Sequence, residues 1–93
     1  MSSDQEKITL TCTIPNIKGL HARAAAQIVS LSSQFDCDMI VSHKDKSASS
    51  LSLIKLLTLD APKGSKIIIS ATGKQKKLAV EKMQELILNG FGE

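Results

Sequence analysis

The stretch "KITLTCTIPNIKGLHARAAAQIV", Lys7 to Val29, changes its hydrophobic period part-way along, and that change decides the fold. Over "KITLTCTI" apolar and polar residues alternate. Ile8, Leu10, Cys12 and Ile14 share one face and Thr9, Thr11 and Thr13 the other, the pattern of a strand buried on one side. Pro15, Asn16 and Gly19 then mark a loop. From about Ala22 to Gln34 the spacing is helical, with Ala24, Ile28, Leu31 and Phe35 in a stripe that Ala25 and Val29 widen.

The same reading extends outward. "CDMIVS", Cys37 to Ser42, predicts a second strand with Cys37, Met39 and Val41 on one face. "HKDK" reads as a polar turn holding His43, and Lys46 to Ser49 as a short returning strand. Period alone does not decide "SLSLIKLLTL", Ser50 to Leu59. Leu53, Ile54 and Leu57 suit a short helix, which Ser50 or Ser52 would cap. "DAPKGS" is a turn, and "KIIISAT" alternates again as a fourth strand with Ile67, Ile69 and Ala71 inward. A last helix runs from about Gln75 to Leu88 on Ala79, Met83, Leu86 and Ile87, and stops at Asn89-Gly90. The order β-α-β-β-α-β-α predicts an α+β, open-faced two-layer sandwich, a sheet with helices on one face. It forms one domain, residues 8–93, behind a loose polar segment, residues 1–7.

Composition removes several function classes. Aromatic content is 2%, Phe35 and Phe91 alone, so the chain lacks the stacking platforms of single-stranded nucleic-acid binders. The net charge of +3 is spread over eleven scattered lysines and a single arginine, which is no nucleic-acid footprint. The tightest lysine cluster, Lys74, Lys76 and Lys77, reads as a solvated face. Cys12 and Cys37 are too isolated for a CxxC or zinc pattern, so no metal or other cofactor is expected. The apolar runs are too short to span a bilayer and no secretory signal opens the sequence, which predicts a reduced, cytoplasmic, monomeric protein.

His21 and Arg23 stand at the start of the first helix, and their chemistry is complementary. A helix N-terminus exposes unpaired N–H groups at the positive end of its dipole, so it can hold an anion such as phosphate. The same field favours a neutral imidazole, whose free ring nitrogen is a nucleophile. A guanidinium two residues on can neutralise phosphoryl oxygens, and in phosphoryl transfer positioning and charge neutralisation are most of the catalysis. A plain cap or surface histidine is the competing reading. His43, with no arginine near it, reads as structural.

"GLHARAAA" resembles the active-site motif of HPr, the histidine-containing phosphocarrier of the bacterial phosphoenolpyruvate-dependent phosphotransferase system. Gly19, Leu20, His21, Ala22, Arg23 and Ala25 match its Gly-Leu-His-Ala-Arg-Pro-Ala signature. The position of "SLSLIKLLTL" and the closing "GFGE" agree, and the resemblance runs from about Ile8 to Glu93. It implies a four-stranded antiparallel sheet with three helices on one face. It implies that His21 takes a phosphoryl group on Nδ1 from enzyme I and passes it to an EIIA-type acceptor, with Arg23 as charge partner. By the same resemblance Ser52 is a candidate for an HPr kinase/phosphorylase, and Ala22, Leu53, Ile54 and Leu57 form the docking face. Such a protein is a relay component and not a turnover enzyme on its own. Ala24 stands where the family has proline, as in nitrogen-type systems, and leaves open whether the relay serves sugar uptake or regulation. Lys55 replaces a glycine common in the family. The alternative is a non-catalytic, anion-binding or regulatory module of βαββαβ type.

Overall fold

A computed structural model describes residues 3–93. Seven elements follow the expected order: β1 (Ile8–Thr13), α1 (Ala22–Ser32), β2 (Asp38–His43), β3 (Lys46–Ser49), α2 (Leu53–Thr58), β4 (Lys66–Thr72) and α3 (Lys76–Leu88). The strands form one antiparallel sheet in the order β1-β4-β2-β3.

Register explains why the alternating patterns had to fall as they did. Leu10 pairs with Ile69, Ile69 with Val41, and Val41 with Ala48, so one inward row crosses all four strands. Ile69, Val41 and Ala48 are buried there. A slip of one residue in any strand would turn its apolar set to solvent. Over this face lie Ala24, Ala25 and Ile28 of α1, Leu56 of α2, and Ala79, Met83 and Ile87 of α3. With so few aromatics the core is aliphatic, and the buried Phe91 is its one fully enclosed ring. The opposite face carries Thr9, Thr11, Ser42 and Ser70 and is open.

Three local expectations are corrected. His43 is not in the turn: it is the last residue of β2, buried, and its Nδ1 lies 2.8 Å from the Leu59 carbonyl oxygen. That carbonyl can only accept, so Nδ1 donates, and the residue ties β2 to the end of α2. Lys76 is not solvated: it is buried, and its Nζ donates to the Glu6 carbonyl at 2.6 Å. In α2 Leu56 faces in, and Leu53, Ile54 and Leu57, expected on a docking face, face out. The first helix ends at Ser32, two residues short of Gln34.

Of the segment 1–7, Met1 and Ser2 lie outside the described residues. Ser3–Gln5 form a 3₁₀ turn whose Asp4 carbonyl accepts from the Gly73 amide at 2.7 Å. Cys12 and Cys37 are both free thiols. Among the described residues no helix is long and apolar enough to cross a membrane.

Candidate functional site

The loop from Ile14 to Leu20 is held at both ends before it reaches His21. The Ile14 amide donates to Ser65 O at 2.9 Å, and the Leu20 amide to Ala61 O at 2.9 Å. Between them Gly19 adopts φ 66°, a left-handed backbone that glycine takes without penalty. The close approach is as demanding as the dihedral: a Cβ on Gly19 would stand 2.6 Å from the Ala61 oxygen. Asn16, 7% exposed, braces the loop from beneath by donating Nδ2 to the Gly19 carbonyl at 2.9 Å.

This loop delivers His21 to the N-cap of α1 in an extended conformation (φ −89°, ψ −179°). Its carbonyl accepts the first helical hydrogen bond, from the Ala25 amide at 2.9 Å. Its Nδ1 accepts from the Arg23 amide at 3.3 Å. An amide N–H can only donate, so Nδ1 carries a lone pair and the ring proton sits on Nε2. Nε2 in turn donates to Oε2 of Glu93, 72 residues along the chain. The same oxygen accepts from Asn16 Nδ2 at 3.2 Å. The hydrogen bond from His21 therefore holds the Glu93 carboxyl below the ordinary glutamate range. Burial opposes this, while Asn16 and the charge of Lys18 reinforce it.

The ring is reachable. The side chains of His21 and Glu93 are 24% and 21% exposed. A cleft of about 340 Å³ between Ile17 and Leu88 reaches Glu93 but not His21, so the imidazole lies on an open surface and not inside a cavity. A side chain on an open surface suits a macromolecular partner better than a small enclosed substrate.

Residues 8–89 match the family described as "PTS HPr component phosphorylation site". The chain belongs to the HPr family. It is therefore a phosphocarrier of the phosphotransferase system, and it interacts with the enzymes of that system. It is 49% identical over 69 residues to the phosphocarrier protein HPr of Vibrio cholerae, covering 74% of this chain and 81% of that one. To the phosphocarrier protein NPr of Shewanella violacea it is 33% identical over 87 residues, 94% and 96% of the two chains. A crystal structure of HPr from Thermoanaerobacter tengcongensis superposes with a TM-score of 0.88 at 31% identity, covering 92% and 97%. The four-stranded antiparallel sheet under three helices is the fold shared with these HPr structures.

The remaining expected site residues fall in two groups. Arg23 is exposed in the first turn of α1, and among the described residues its guanidinium has no hydrogen-bond or ion-pair partner, so it is brought beside His21 through its backbone alone. Ser52 is the N-cap of α2, half-buried, and its Oγ accepts from the Lys55 amide at 3.3 Å; Ser50 is buried instead. Ala22 is exposed on α1, and on α2, which packs against α1, Leu53, Ile54 and Leu57 are 41%, 75% and 38% exposed. Two residues at the site escaped the sequence reading. Asn16 was taken only for a loop former, and Glu93 only for part of a family ending. No local pattern tells a glutamate that it will meet a histidine 72 positions earlier.

Proposed function

We propose that His21 is the phosphoacceptor of this phosphocarrier, attacking through Nδ1. The observation that carries the reading is the ring's orientation: Nδ1 accepts from the Arg23 amide in the first turn of α1, on a half-buried but reachable ring. A phosphoryl group bound there stands at the positive end of the helix dipole, where backbone N–H groups can meet its oxygens. When Nδ1 bonds to phosphorus, the Arg23 amide loses its acceptor and becomes free to donate to a phosphoryl oxygen. The Arg23 guanidinium, uncommitted to other side chains, can turn to the same oxygens. The donor in this reading is the phosphohistidine of enzyme I and the acceptor an EIIA-type protein.

The exposed Ala22, Leu53, Ile54 and Leu57 support a docking face, because isolated surface leucines are ordinary but a group on two adjoining helices is not. Phosphorylation of Ser52 by an HPr kinase/phosphorylase would place about two negative charges next to that face and weaken an acidic partner's approach. Relatives named HPr and NPr both match, so the two branches of the system remain equal in this reading. The activity belongs to a monomeric domain of residues 8–93 acting in the cytoplasm.

The test is intact-mass measurement after incubation with phosphoenolpyruvate and enzyme I. Wild type should gain one acid-labile phosphate, and His21→Ala none. Phosphate on His21→Ala would move the acceptor elsewhere. A wild type that stays unmodified would favour the anion-binding module.

A further inference from the structure

We propose that Ile17 and Leu88 wall a docking cleft for the protein that delivers the phosphoryl group, so that this partner grips the carrier on both sides of His21. The inference rests on the phosphoacceptor role of His21 given above.

Both side chains are apolar and stand in water. Ile17 is 84% exposed in the loop before α1, and Leu88 is 65% exposed in the last turn of α3. Neither belongs to the core or packs against it. The inward stripe of α3 is Ala79, Met83 and Ile87, and Leu88 stands about 100° round the helix from Ile87. Between Ile17 and Leu88 lies the cleft of about 340 Å³, which Asn16, Gly90 and Glu93 also line.

Both walls are built to keep their shape. On one, the Gly19 amide donates to Asn16 O at 3.1 Å and the Gly64 amide to Ile14 O at 2.8 Å, so the loop is bent on itself and tied to the turn before β4. On the other, Gly90, Phe91 and Gly92 take left-handed backbones at φ 62°, 57° and 78°. The Phe91 ring, buried in the core, anchors that bend. An apolar side chain held on a fixed backbone loses little freedom when a partner covers it.

Size and place identify the occupant. α1 packs on α2 along one side and on α3 along the other, so His21 stands between the exposed apolar residues of α2 and this cleft. A small transient interface covers about 600 Å² of each partner, a disc of about 14 Å radius. Ile17 precedes His21 by four residues, which span at most about 14 Å when fully extended, and this loop is bent. A protein that brings its own phosphohistidine onto His21 therefore covers Ile17 as well. Glu93, which touches His21 and lines the cleft, makes the two surfaces continuous. Lys18, exposed beside Ile17, and Arg23 give the rim a cationic character, while the charge of Glu93 is already engaged by His21 and Asn16. The fitting partner presents an apolar side chain flanked by carboxylates.

The test compares two phosphoryl donors on the intact chain: phosphorylated enzyme I, and potassium phosphoramidate, which is too small to reach the cleft from His21. Ile17→Ser and Leu88→Ser remove the walls without entering the core, and a melting temperature near that of wild type checks this. Each should lower kcat/KM with enzyme I by about three- to tenfold, through KM, the loss expected of one covered apolar side chain. Each should slow phosphoramidate labelling far less. Ile68→Ser, at a 44% exposed position on the open sheet face, should match wild type with both donors. A double variant of Ile17→Ser with Leu88→Ser that keeps the wild-type KM for enzyme I would overturn the proposal. Equal slowing with both donors would overturn it too, placing the effect in the loop's hold on His21. So would a wild-type dimer that the double variant dissolves, which would give the cleft to a second copy. A wild type that takes no phosphate on His21 from either donor would instead remove the phosphoacceptor role itself.

Discussion

The Leu20 amide donates to the Ala61 carbonyl at 2.9 Å, and this bond ties the residue before His21 to the turn after α2. His21 and the exposed apolar helix are thus set against each other by backbone, not by the side chains that would meet a partner. Surface residues can change to suit partners while the spacing between histidine and helix stays fixed.

Gly19 makes that bond possible, and Gly19→Ala should break it. The new methyl would meet the Ala61 oxygen and the Pro62 Cα at 2.6 and 2.8 Å, both backbone atoms with little freedom to move. The left-handed φ adds a cost of about 1–2 kcal/mol for a residue with a Cβ. Urea unfolding should show a loss of about 2–3 kcal/mol in all. Phosphoryl transfer should slow beyond what the unfolded fraction explains. An unchanged midpoint would mean that the loop reseats freely.

α2 offers a sharper separation of core from docking face. Leu56 is fully buried while Ile54 is 75% exposed. Leu56→Ala should cost about 2–5 kcal/mol of stability by leaving a cavity. Ile54→Ala should change stability by less than about 0.5 kcal/mol. In transfer assays with enzyme I the order should invert: Ile54→Ala should raise KM, and Leu56→Ala should leave KM alone at temperatures where it is folded. If Ile54→Ala transfers like wild type, the docking face lies elsewhere.

How much of this was legible follows from which interactions are local. Period-2 alternation placed β1, β2 and β4 because each is half-buried in a sheet open on one side, while β3 was legible only as a return after a polar turn. The N-cap role of His21 was legible because capping is decided within three residues. α2 was legible as a short helix but its buried side was not, because leucines and an isoleucine occupy both of its faces and only the packing on α1 and β3 chooses Leu56 as the inward one. His43 looked like part of a turn because Lys44, with φ 57°, turns the chain one residue later, and the bond from His43 to Leu59 spans 16 residues. Lys76 looked solvated because its partner, Glu6 O, lies 70 residues away. Glu93 is the extreme case, dependent on three consecutive left-handed residues and a buried ring.

The Arg23 guanidinium makes no hydrogen bond or ion pair among the described residues, so its removal should be silent structurally. Arg23→Ala should keep the circular dichroism spectrum and melting temperature of wild type. It should slow phosphoryl transfer by on the order of tenfold or more, since one charge-stabilising donor is lost. Arg23→Lys should recover part of the rate, keeping the charge but losing the fork that can make two hydrogen bonds to phosphate oxygens. A shifted melting temperature in Arg23→Ala would mark the residue as structural.

The clasp between Glu93 and His21 should depend on pH with a definite sign. Its carboxyl is held below the ordinary glutamate value, principally by the hydrogen bond from His21. A folded-state value below the unfolded one contributes stability that is complete above about 4.3, the unfolded range, and is lost as pH falls through the lower folded value. A ¹³C titration of the Glu93 carboxyl should therefore have its midpoint below that range, and His21→Ala should move it back up. Amides of Gly92 and Glu93 should exchange faster at the acid end. A midpoint unaffected by His21→Ala would show that the contact is not made in solution.

The two thiols titrate in the opposite sense. Burial raises the Cys12 thiol above its ordinary value. Cys37 is raised by partial burial first, then by the negative charges of Asp38 and Asp36. Alkylation needs the thiolate, so both should react slowly. At pH 8 iodoacetamide should label Cys37 more slowly than a free cysteine, and Cys12 only once urea unfolds the chain. Because the folded values lie above the unfolded one, the associated stability is present below about 8.5 and declines as pH rises past it. Replacing both aspartates, as Asp36→Asn with Asp38→Asn, should speed the labelling of Cys37 and leave Cys12 unchanged. Equal acceleration at both sites would point to general loosening of the fold and not to the local charges.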